Sequence, residues 1–66
     1  MKNSVKVERA ILRITQAQLA ERIGVSRQTI NAIESGKYVP STLLALKMSV
    51  VFNKPVNEIF SLDDED

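Results

Sequence analysis

Thr15-Gln16-Ala17-Gln18-Leu19-Ala20-Glu21-Arg22-Ile23-Gly24-Val25-Ser26-Arg27-Gln28-Thr29-Ile30-Asn31-Ala32-Ile33-Glu34-Ser35-Gly36 is the stretch that decides how this chain folds. It holds two short helical patterns around a tight Gly24-Val25-Ser26 corner. Thr15 reads as an N-cap, because its hydroxyl can accept a free N–H of the turn that follows. From about Gln16 to Ile23 the apolar residues Leu19, Ala20 and Ile23 fall on one face. Gly24 stands just past the end, where a left-handed residue is least costly. Ser26 is the next cap and opens a helix from Arg27 to about Ser35. Ile30 and Ile33 are its inward residues, and Gly36 closes it. Unusually, this second helix begins with Arg27 and Gln28 instead of apolar residues.

Outward from the pair, helical spacing continues. A first helix is expected over about residues 4–13, with Val5, Arg9 and Leu12 on one face. After the loop Lys37-Tyr38-Val39-Pro40, Ser41 caps a fourth helix reaching about Phe52, and Asn53-Lys54-Pro55 breaks it. Asn57 to about Leu62 makes a short fifth helix with Val56, Ile59 and Phe60 as its apolar face. No run alternates and no Asn-Gly hairpin occurs, so no strand is expected. The sequence therefore predicts an all-α domain of five short helices over residues 1–62, followed by an acidic, disordered tail at 63–66.

Sixty-six residues leave room for one small core, burying only about 60% of the surface exposed by the unfolded chain. With neither Cys nor His, disulfides and the usual zinc sites are excluded. Dimerisation is the remaining common reinforcement. The N-terminus carries no apolar leader block, and no run approaches the ~20 residues needed to cross a bilayer. A cytoplasmic protein without membrane contact is expected. The formal net charge of +1 hides an asymmetry. Asp63, Asp64, Glu65 and Asp66 hold half of the eight acids, so residues 1–62 carry nine bases against four acids, a balance of +5. A basic body suits a polyanion, and the acidic end reads as a solvated tail. Glu8, Glu21, Glu34 and Glu58 are spread along the chain. With no Gly-rich phosphate loop and no paired carboxylates, neither an enzyme nor a cofactor, metal or small-molecule site is expected.

The polar face of the third helix has a definite chemistry. Arg27 can pair with guanine O6 and N7, and Gln28 or Asn31 with adenine N6 and N7. Arg27 and Asn31, four apart, share a face with Gln28 beside them, while Ile30 and Ile33 point the other way. A short capped helix precedes them across a Gly-containing turn, and small Ala20 lets the two helices cross closely. This is the layout of a helix-turn-helix, whose second helix enters the DNA major groove. Double-stranded DNA is the expected partner. Gln16, at a helix N-terminus that favours an anion, and Lys37 are expected to meet backbone phosphates, as are Ser26, Thr29, Tyr38, Ser41 and Thr42.

Thr15-Gln16-x-x-Leu19-Ala20 followed by Gly24-Val25-Ser26-x-Gln28-Thr29-Ile30-x-x-Ile33-Glu34-x-Gly36-Lys37 resembles the phage repressor and Cro family of helix-turn-helix regulators. The likeness covers about residues 4–62. It implies a lambda-repressor-like DNA-binding domain, with Gln16 at the family's phosphate-binding position and Arg27, Gln28, Asn31 and Ala32 at its base-reading positions. Arg9 and Glu34 match an ion pair tying helix one to the end of helix three. Glu34, close to a helix C-terminus, also needs a cation on dipole grounds alone. The chain departs from the family at Glu8, where relatives are often apolar, and at Val7, Ile11, Leu43 and Val50, where they usually carry polar charge. Arg13 stands where Gly or Asn is frequent.

The expected function is a homodimeric, sequence-specific regulator of transcription, most simply a repressor on a palindromic operator. Val56, Ile59, Phe60 and Leu62 are the expected dimer contact. The alternative is an antitoxin-like module that binds a protein partner through Val7, Ile11, Leu43 and Val50.

Overall fold

Three helix starts repeat one device in the computed structural model, which describes residues 1–66. Thr15, Ser26 and Ser41 hold extended backbone, and each hydroxyl accepts from the N–H three residues on: Gln18 at 3.0 Å, Thr29 at 3.1 Å and Leu44 at 3.2 Å. At Thr15 the box is reciprocal, because the Gln18 side chain accepts from the Thr15 N–H at 2.8 Å. These caps start α2 (Gln16–Ile23), α3 (Arg27–Glu34) and α4 (Thr42–Phe52). They follow α1 (Val5–Leu12) and precede the single turn α5 (Val56–Ile59).

The helices stop by left-handed residues. Arg13, Gly24, Gly36 and Asn53 all have φ between 55 and 79°. At Arg13 the next two N–H groups turn back, Arg13 to the Ala10 carbonyl and Ile14 to the Arg9 carbonyl, both at 3.1 Å. That pairing closes the end of α1 and delivers Ile14 to the core.

Leu19, Ala20 and Ile23 of α2, Ile30 and Ile33 of α3, and Ala45, Met48 and Phe52 of α4 are buried together with Val5, Ile14, Ile59 and Phe60. Each fully buried Leu, Ile or Met contributes about 1.5–3 kcal/mol. Ala20 lies in the α2–α3 corner, where its carbonyl accepts from Val25 at 3.0 Å. The two helices of the quoted stretch thus meet at their predicted apolar faces.

The structure differs from the sequence reading in several details. First, the five helices stand as expected, but a strand pair joins them where none was expected: β1 (Lys2–Asn3) pairs antiparallel with β2 (Phe60–Ser61), Lys2 opposite Ser61 and Asn3 opposite Phe60. Ser4 N–H also donates to the Ile59 carbonyl at 2.9 Å, and Asn3 Nδ2 to the Ile33 carbonyl at 2.9 Å. Both ends of the chain are thereby tied to the core. Second, the fifth helix stops at Ile59, because Phe60 enters the strand with φ −119° and ψ 140°.

Third, Ile59 and Phe60 belong to the protomer's own core, and Val56 packs against it, so three of the four residues expected at a dimer contact are engaged within one chain. Leu62 alone is largely exposed. Fourth, on the inward face of α1 Val5 and Glu8 are buried and Arg9 is half-buried, but Leu12 is 41% exposed and Ile14 occupies the core instead. Glu8, 6% exposed, meets Lys54 Nζ at 2.9 Å. A carboxylate thereby replaces the apolar residue frequent in relatives without being left unpaired. Residues 63–66, expected as an acidic tail, hold a turn with Asp66 N–H donating to the Asp63 carbonyl at 3.2 Å. Asp63 and Asp66 contact the terminal amino group at 2.8 and 3.2 Å.

Candidate nucleic-acid interface

Positions along a helix advance by about 100° per residue, so Arg27, Asn31, Gln28 and Ala32 span one continuous arc of α3. Ile30 and Ile33 occupy the opposite side and are fully buried. Their burial fixes the roll of the helix and forces the other arc outward. Arg27, Gln28 and Asn31 are exposed, and Ala32 is half-buried at the edge of that arc. The exposed arc therefore carries one guanidinium and two carboxamides, the side chains able to form paired bonds with purine edges.

Behind α3 lies a network that holds it in place. Arg9 Nε donates to Glu34 Oε2 at 2.7 Å and Nη2 to Oε1 at 3.1 Å, a two-pronged pair between α1 and the last residue of α3. Arg9 Nη1 also donates to the Ile14 carbonyl at 3.0 Å. Burial disfavours the Glu34 charge, but the hydrogen bonds from Arg9 and then Gln16 outweigh it, and the carboxyl is held below its ordinary pKa. The hydrogen bonds to Glu34 in turn raise the Arg9 guanidinium above its ordinary value.

Gln16 is more committed than its sequence position implied. Its Nε2 donates to Glu34 Oε1 at 3.1 Å and to Asn31 Oδ1 at 3.3 Å, bridging α2 to α3. The side chain orients the exposed Asn31 carboxamide. An anion at this end of α2 is met by the first N–H groups of the helix, which have no intrahelical acceptor.

Beside that end of α2 lies a shallow recess of about 630 Å³ lined by Arg9, Arg13, Ile14, Thr15, Gln16, Ala17 and Arg27. Here the ends of three helices converge: the C-terminus of α1 and the N-termini of α2 and α3. Sequence reasoning gave Arg13 no role. The available signal was a long basic side chain at a position where relatives favour Gly or Asn.

The remaining sequence-predicted contacts flank α3 less closely. Ser26 Oγ caps the helix and lies 3.0 Å from Thr29 Oγ1. Lys37 and Tyr38 are exposed, and their N–H groups both turn back to the Ala32 carbonyl, at 2.9 and 3.2 Å. This pins the loop to the end of α3. Ser41 and Thr42 are exposed at the start of α4, with the Ser41 hydroxyl occupied by its capping bond.

Capped α2, the Gly24 corner and α3 with a polar outer arc define a helix-turn-helix protein. The sequence profile described as "Helix-turn-helix" matches residues 5–59. The chain belongs to the Cro/C1-type helix-turn-helix family of DNA-binding transcriptional regulators. It is 48% identical over 66 residues, the whole of both chains, to the HTH-type transcriptional regulator MJ0272 of Methanocaldococcus jannaschii. It is 49% identical over 65 residues, 98% of both chains, to the HTH-type transcriptional regulator YgzD of Bacillus subtilis. It is also 30% identical over 53 residues to the ImmF control region 10 kDa protein of Bacillus phage phi105, covering 80% of this chain and 59% of that one. No helix is long and apolar enough to cross a membrane.

Proposed function

We propose that this protein is a sequence-specific transcriptional repressor that binds a palindromic operator as a homodimer. The observation that carries the reading is the outward arc of α3, Arg27, Gln28 and Asn31, held over fully buried Ile30 and Ile33. In the major groove Arg27 pairs with guanine O6 and N7, and Gln28 or Asn31 with adenine, while Ala32 gives an apolar contact for a thymine methyl. Ser26, Thr29, Lys37, Tyr38, Ser41 and Thr42 meet phosphates on either side, setting register without reading sequence. Repression follows most simply, because a domain docked on a promoter excludes other proteins by occupancy alone. Its place of action is the cytoplasm, with the DNA.

One eight-residue helix reads too few base pairs for a unique site, and a two-fold pair doubles the count. The surface that supports pairing is on α4. Leu43, Leu46 and Val50 are 62, 53 and 81% exposed and stand three and four residues apart, which places them in one stripe. A helix apolar on its outer as well as its inner face is a helix lacking a partner. A standard interface covers about 800 Å² per protomer, near a sixth of the 4532 Å² surface here. The stripe supplies the dry centre of such a contact, and a second copy is its occupant.

Selection of bound sequences from random duplex DNA at physiological salt tests the reading. Recovery of an inverted repeat with half-sites about 34–36 Å apart is expected. Binding that enriches nothing and vanishes with salt overturns it.

A further inference from the structure

Arg13 carries a side chain where the backbone favours none. Its φ of 58° and ψ of 40° are left-handed, a region in which a Cβ is disfavoured. Elsewhere in this chain the left-handed positions are taken by glycine at 24 and 36 and by Asn53, whose short polar side chain tolerates the conformation. Only at residue 13 does a long, charged side chain sit on such a backbone. It is exposed, and no carboxylate lies within salt-bridge distance of it.

The surroundings of that side chain are specific. It lines the recess between α1, α2 and α3 together with Arg9 and Arg27. Arg9 is neutralised by Glu34 and belongs to the fold. Arg13 and Arg27 remain without an acidic partner, so the recess holds two uncompensated guanidinium charges. Arg27 marks where the recess meets the base-reading arc.

We infer that Arg13 grips a DNA backbone phosphate beside the bases read by Arg27, as a sequence-independent clamp that sets the register of α3. The inference rests on the major-groove docking proposed above. A planar guanidinium forms two parallel bonds to a phosphate, a geometry that fixes orientation as well as distance. With Arg27 directed at base edges, Arg13 is the cation left in the recess for the backbone. A solvated arginine that merely complements the C-terminal dipole of α1 explains neither the absence of glycine nor the shared recess.

Arg13→Gly and Arg13→Asn remove the clamp in residues suited to the left-handed backbone, so folding survives the test. Affinity for a random-sequence duplex and for a selected operator is measured against salt for wild type, both variants and Arg13→Lys. Thermal stability is followed in parallel. Arg13→Gly is expected to keep or raise Tm while weakening both DNAs by a similar factor, about tenfold per protomer. The slope of log K against log salt is expected to fall by about 0.9 per protomer, with Arg13→Lys restoring the slope but not the full affinity. Wild-type binding with unchanged slope and affinity in Arg13→Gly overturns the clamp alone. Wild type without salt-dependent binding overturns the clamp and the DNA-binding reading together.

Discussion

Glu34 pays a desolvation penalty at the end of a helix whose dipole also opposes its charge, and Arg9 and Gln16 offset both through three hydrogen bonds. Removing one partner leaves the other half-buried without its counter-charge. Arg9→Ala and Glu34→Ala are each expected to destabilise in chemical denaturation, by less than the ~3–5 kcal/mol of a fully buried pair. The pH dependence has a definite sign. The folded pKa of Glu34 lies below its ordinary 4.5, so its contribution is fully present above that value. It is lost as pH falls through the folded pKa. Denaturation between pH 7 and pH 3 should therefore show a smaller pH-dependent loss in Glu34→Gln than in wild type. An equal loss would place the acid sensitivity elsewhere. The ion pair itself was legible in the sequence, because an arginine on an apolar face and a glutamate at a helix end each call for a partner. The additional grip of Gln16 on Glu34 was not, since a carboxamide at a helix start gives no sign of which neighbour it will meet.

Helices α2, α3 and α4 were legible because their starts are encoded locally, by a hydroxyl followed three residues later by the N–H it accepts. Thr15→Ala and Ser26→Ala should each lower stability by about 0.5–2 kcal/mol, and thermal melts decide it. The two-residue strands were not legible. Their pairing joins residues at opposite ends of the chain, and a strand that short shows no alternation. The fifth helix was overextended for the same reason: Ile59 and Phe60 keep helical apolar spacing, yet Phe60 reaches the core from an extended backbone. On α1 the apolar count misled, because Glu8 enters the core region with Lys54 as partner while Leu12 stays outside. The outward apolar residues Val7, Ile11, Leu43 and Val50 were read correctly as exposed. At this scale the α4 stripe gives a clean test. Val50→Asp changes a side chain that the protomer hardly buries, so the protomer should still fold, with any loss of Tm that of the lost association. Sedimentation at micromolar concentration is expected to show a dimer for wild type and a monomer for the variant. A wild-type monomer, or a dimer unaffected by Val50→Asp, rejects α4 as the interface.

Across the whole molecule, charge and shape divide the work. The body carries the surplus of bases, and the acidic end is folded against the terminal amino group, with Asp63 and Asp66 in contact with it. In the proposed docking, positive charge draws the protein to any duplex, and only the α3 arc distinguishes one sequence from another. Lys37→Ala should thus weaken specific and random DNA alike and reduce the salt slope by about one per protomer, measured by fluorescence anisotropy. Arg27 should behave differently, and a double-mutant cycle between Arg27→Ala and its paired guanine in a selected operator is the most direct measurement. If α3 reads bases, Arg27→Ala costs about 1–3 kcal/mol on the operator and little once that guanine is replaced. An equal loss on both DNAs would contradict base reading by Arg27 and leave it a phosphate contact.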